Sequence, residues 1–113
     1  MRHLLCALAI ALAACKVNAA GDSTDGRDLF ASQCSACHGP TGRPTEMMVE
    51  RFGVKDLTAP DVRRDMTPAS VERQIRRGSA NFKMPSFEGQ LTDAQIRVLA
   101  EFVAGSTFVP PPP

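Results

Sequence analysis

The sequence has no tryptophan and no tyrosine, and phenylalanine supplies all six of its aromatic rings. With 113 residues it is long enough for one domain, and so few aromatics give that domain a thin core. A core of that kind leaves room for a group that is not protein. Charge of either sign is also lacking in excess: the formal net charge is +1, which suggests neither a nucleic-acid binder nor a strongly acidic protein. Histidine is scarce, with only His3 and His38. No apolar run is long enough to cross a bilayer, and no internal repeat is visible.

The N-terminus reads as an export signal. Arg2 opens it, Leu4 to Ala14 form a short apolar run, and Val17 and Ala19 stand at the −3 and −1 positions of a cleavage site. This assigns residues 1–19 to a signal peptide, 20–24 to a linker, 25–108 to the domain and 109–113 to a stiff proline-rich tail. The stretch "LAAC", Leu12 to Cys15, also resembles a bacterial lipobox; on that alternative residues 1–14 are removed and Cys15 carries lipid. Both versions expect a protein of the bacterial periplasm, soluble or lipid-anchored. Inside the domain only Cys34, Cys37 and His38 remain of the cysteines and histidines.

Those three residues fall in "CSACHG", residues 34–39, where four chemistries compete. A structural zinc site needs four ligands, and no second Cys or His pair exists to complete one. A thioredoxin-like dithiol sits at a helix start after a strand, whereas "DGRDLFASQC" approaches this motif as a helix. A disulfide between Cys34 and Cys37 closes a tiny loop, stabilises little and leaves His38 without a role. C-x-x-C-H is the attachment signature of c-type haem, and it accounts for every residue. Two thiols at this spacing meet the two haem vinyl groups, and the next residue, His38, comes under the iron as proximal ligand. Gly39 is expected where a Cβ would crowd the porphyrin.

The second axial ligand cannot be another imidazole within the domain. Met47, Met48, Met66 and Met84 remain, and a buried methionine most often only fills a core. Met84 stands apart because it lies in a loop, is followed by Pro85 and is far enough from His38 for the chain to wrap round a ring. Met66, just outside a helix start, is the next candidate; Met47 and Met48 follow the motif so closely that the chain would have to double back. A thioether ligand favours ferrous iron and points to electron transfer rather than oxygen activation.

The remainder reads as helices and turns. "TPASVERQIRRG" has Thr67 as N-cap, Pro68 in first position, Val71 and Ile75 on one face and Gly78 as its stop. "TDAQIRVLAEFVAG" pairs Thr92 with Gln95 in a capping box, carries Ile96, Leu99 and Val103 as a stripe, and stops at Gly105. A third helix runs from caps at Ser23, Thr24 or Asp25 through Leu29 and Phe30 to Cys34. "TEMMVERFG" and "TAPDVRRD" each suggest a short helical turn. Arg63, Arg64, Arg73, Arg76, Arg77 and Lys83 crowd one segment, which serves either as a docking patch for an acidic redox partner or as an ordinary solvated helix face.

Over residues 25–104 the chain resembles a class I cytochrome c. The likeness rests on Gly26, Leu29 and Phe30, on "CSACHG", and on "QIRRGSANFKMPSFEGQLTDAQIRVLAEFV" in that order. The resemblance implies an all-α fold of three main helices wrapped round one covalent haem c, with His38 and Met84 as axial ligands. It implies a crossing of the first and last helices, with Gly26 against Phe102, and a one-electron carrier rather than an enzyme. Two alternatives stand beside it: the cytochrome subunit of a larger dehydrogenase or oxidase, and an open-site haem sensor or peroxidase. The last lacks a distal histidine to act as acid or base. Two departures stand out. The last helix has no Tyr or Trp, and residues 38–56 do not follow the family pattern. A carbonyl fixing the His38 ring is expected, with Pro44 and its neighbours as candidates.

Overall fold

The computed structural model describes residues 20–109; the expected signal, Cys15 and residues 110–113 lie outside them. Six helices follow one another: α1 (Gly26–Gln33), α2 (Ser35–His38), α3 (Glu46–Phe52), α4 (Pro60–Arg64), α5 (Pro68–Arg77) and α6 (Asp93–Ala104). Among the described residues no strand forms beyond an isolated Glu88–Leu91 bridge. The fold is all-α.

Each long helix starts where its cap dictates. Asp25 Oδ1 accepts the backbone N–H groups of Arg27 and Asp28 at 2.8 and 3.1 Å, which opens α1. Thr67 caps α5 with Pro68 behind it, and Ser70 returns a bond to the Thr67 N–H, completing a box the sequence pattern did not reveal. Thr92 and Gln95 cap α6 reciprocally. Thr45 caps α3. α4 takes Pro60 in its first turn and has no side-chain cap.

Helix α6 packs on both α1 and α5. The crossing with α1 needs a glycine: a Cβ on Gly26 would stand 2.5 Å from Phe102 Cβ and 3.0 Å from the Val98 carbonyl oxygen. Leu29, Phe30, Ile75, Ile96, Leu99, Ala100 and Val103 form the core, joined by Phe87 and Leu91 from the loop before α6. Phe108 extends this core beyond α6. Its ring centroid lies 5.0 Å from Phe30 and 5.4 Å from Phe102, both edge-on.

Residues 20–24 are not a free linker. The Gln95 amide donates to the carbonyls of Gly21 and Ser23 at 3.0 and 2.9 Å, and Ala20 packs against the core. One side chain therefore caps α6 and holds the entry strand of chain against it. Gly105 ends α6 in extended backbone, φ −78°, so it is not there for a left-handed turn.

A candidate cofactor centre

Helix α2 is a single turn running straight out of α1. The Cys34 N–H still donates to Phe30 O at 2.9 Å, and the His38 N–H donates to Cys34 O at 2.9 Å. That continuity holds Cys34, Cys37 and His38 on one short rigid piece. Gly39 then turns the chain with φ +78°. Glycine is required here by the protein itself, because a Cβ would strike the backbone carbonyl of Arg43.

A cavity of about 970 Å³ opens beside this turn, near the upper end of the ~300–1,000 Å³ usual for ligand clefts. Cys34, Cys37 and His38 line one part of it; Met48, Met66 and Met84 line others. Leu99 and Val103 carry the α6 core to its wall. Among the described residues no group of three or more His, Cys, Asp and Glu side chains is placed to hold a bare metal ion.

Both cysteines are free thiols. Burial, with the neighbouring Cys37 adding to it, pushes the Cys34 thiol up to about 12. An uncharged sulfur is what this position tolerates, and a thioether is uncharged. Burial likewise lowers His38 from its ordinary value, opposed by a hydrogen bond to the Lys55 carbonyl. That bond is 3.1 Å long, from His38 Nδ1. A carbonyl only accepts, so Nδ1 carries the proton and Nε2 keeps its lone pair. The carbonyl is Lys55, not one near Pro44. Asp56 secures this loop by accepting from the Thr58 N–H and hydroxyl at 2.8 and 2.6 Å.

The Met84 loop is fixed as firmly. The Met84 N–H donates to Ser79 Oγ at 2.9 Å, and the Ser79 N–H donates to Met84 O at 3.0 Å. Gly78, φ +72°, lets this loop fold back on α5; a Cβ there would stand 2.5 Å from Met84 O. Lys83 ties the loop to α3 by donating to Arg51 O at 2.9 Å, with its ammonium 5.8 Å from the Phe52 ring centre. Two thiols, a neutral imidazole and thioethers around one largely apolar cavity suit a covalently held haem.

Comparison with known proteins agrees with that chemistry. The family model described as "Cytochrome C oxidase, cbb3-type, subunit III" matches residues 21–103. The chain belongs to that family. The solved structure of "KustC0563 c-type cytochrome" is 26% identical with a TM-score of 0.62, covering 71% of this chain and 94% of that one. A single-site mutant of that cytochrome is 28% identical with a TM-score of 0.62, covering 72% and 96%. No curated protein matches the chain. The protein is thus an electron-carrying c-type cytochrome, built for covalent haem.

Within this cytochrome the methionines separate. Met47 is exposed and does not line the cavity, whereas Met48, one residue on, does. The chain does turn back there: the Gly42 carbonyl accepts the Leu57 N–H at 2.9 Å, closing the segment that carries α3 and Met48. Met66 also lines the cavity, but its sulfur accepts a hydrogen bond from Arg63 Nη1 at 3.2 Å.

The six cations of the basic segment also part company. Arg63 donates to Val103 O and Gly105 O at 2.6 and 3.0 Å, closing the end of α6. Arg76 bridges Glu72, Glu88 and Asp93 at 2.8–3.0 Å, and these three partners raise its already high pKa. With Lys83 on α3, only Arg64, Arg73 and Arg77 of the six make no ion pair or side-chain hydrogen bond among the described residues. Arg63 gave no sign of its role in the sequence, because Val103 and Gly105 lie 40 and 42 residues away. Of Arg76's partners only Glu72, four residues before it, is local, while Glu88 and Asp93 are 12 and 17 away.

Proposed function

We propose that the protein is an exported monohaem carrier of single electrons, its iron held between His38 and Met84. One observation supports this most: Cys34, Cys37, His38 and Met84 all line one cavity, while the sulfur of its nearest rival, Met66, is already engaged. Haem bound there supplies a one-electron ferrous–ferric couple. Cys34 and Cys37 keep it as thioethers, and His38 presents Nε2 because Lys55 occupies Nδ1. The tight hydrogen bonding around Ser79, Met84 and Lys55 holds both ligands still. Small ligand movement favours rapid electron transfer. Among the described residues no helix is long and apolar enough to cross a membrane. We place the protein in the periplasm, with Cys15 as an alternative lipid anchor. Arg64, Arg73 and Arg77 are the cations left to meet an acidic redox partner.

Carbon monoxide binding to the reduced holoprotein tests the reading. The wild type is expected not to bind at neutral pH, and Met84→Ala is expected to open the iron. Ready binding by the wild type would favour the open-site sensor or peroxidase instead. The family description favours one further version, in which this cytochrome belongs permanently to a larger oxidase. A stable complex of defined stoichiometry on purification would identify it.

A further inference from the structure

Two half-buried methionines line the same cavity and pack against the same core, yet their sulfurs are treated differently. Among the described residues no hydrogen bond reaches the Met84 sulfur, and its loop is fixed through the backbone alone. The Met66 sulfur accepts from a guanidinium at 3.2 Å. That guanidinium cannot drift with the sulfur. Arg63 Nη1 and Nη2 are held by Val103 O and Gly105 O at 2.6 and 3.0 Å, with Leu57 O 3.5 Å from Nη1. The Phe108 ring centre lies 5.4 Å from its central carbon. A thioether whose lone pair faces a fixed cation is a poor donor to another cation.

We propose that Arg63 is the positioning residue that decides which methionine meets the iron, tethering the Met66 sulfur so that Met84 is the ligand. The inference rests on the Met84 reading above. It assigns Arg63 a function that its role at the end of α6 does not require, since Val103 O and Gly105 O could be satisfied without any contact to sulfur. It also explains why Met66, on the wall of the same cavity, need not compete with Met84 for the iron.

The test uses haem-loaded variants and two readouts, carbon monoxide binding to ferrous protein and the ferric iron–thioether absorption band. Met84→Ala alone should lose the band and bind carbon monoxide, because Met66 stays tethered. Adding Arg63→Gln should restore the band and slow carbon monoxide binding by about tenfold or more, the scale on which groups behind a ligand act. Adding Met66→Leu as a third change should reverse that gain. If Arg63→Gln fails to fold, Arg63→Lys keeps the charge without the fork and should act in the same direction. The proposal is overturned if Met84→Ala keeps a thioether ligand while Arg63 is intact. It is equally overturned if the Arg63 and Met84 double variant matches Met84→Ala in both readouts. The Met84 reading fails in a different way, through loss of the band in Met66→Leu or Met48→Leu with Met84 present.

Discussion

Where α6 crosses α1, Leu29, Ile96, Leu99 and Ala100 are exposed by 1% or less, and a glycine lets the two backbones close. Around the cavity the picture is reversed: α2, α3 and α4 bury no residue completely. Those short helices are shaped by caps, turns and single long-range hydrogen bonds. One part of the molecule is stabilised by side chains that exclude water among themselves, and the other is arranged round a space. The missing aromatics fit this division, because a cofactor ring can supply what the cavity side lacks. A c-type cytochrome of this size therefore has one half that packs by itself and one half that the haem completes.

Removing the cofactor should divide the two regions most sharply. In Cys34→Ala/Cys37→Ala no haem is retained covalently, and hydrogen exchange should lose its protection in α3 and α4 far more than in α1 and α6. Equal loss in all four helices would erase the distinction. Leu29→Ala strikes the packed half directly. It should cost about 2–5 kcal/mol in denaturant unfolding of the haem-loaded protein. A cost below about 1 kcal/mol would show that the crossing is not the stabilising element.

The smallest expected effect is acid sensitivity on the cavity side. The Thr58 hydroxyl, followed by backbone N–H groups and Arg43, holds the Asp56 carboxyl below its ordinary value. The folded protein thus binds that proton less readily than the unfolded chain. Its contribution is present above the usual carboxylate pKa of about 3.9 and is lost as pH falls through the lowered folded value. Loosening of residues 54–59 should appear in exchange near pH 3 before the α1–α6 crossing responds, and Asp56→Asn should remove that share of the pH dependence. Simultaneous loosening of both regions would argue for one cooperative unit.

Most of the helical frame was legible because its signals are local. Asp25, Thr67 and Thr92 each act within three residues of their own position, and the spacing of Cys34, Cys37 and His38 is a chemical requirement written into one turn. Gly26 and Phe102 were legible through family likeness, and the structure brings them together. The expected linker, by contrast, gave no sign that Gln95 would reach back to Gly21 and Ser23. Phe82 was equally silent: it is 90% exposed and takes a left-handed φ of 61°, a conformation no residue type there foretells.

What the sequence by itself determined is therefore the list of chemical groups and the starts and stops of the helices, since both depend on neighbours along the chain. Tertiary structure decided which of those groups are free to act. Lys55 meets His38 across 17 positions, and Arg63 meets Val103 and Gly105 across 40 and 42. Contacts over such distances exist only once the core has closed, because a hydrogen bond strengthens where water is excluded and its partners are already held. That closure separates two methionines of the same chemistry, leaving one sulfur without a hydrogen bond among the described residues and the other on an arginine.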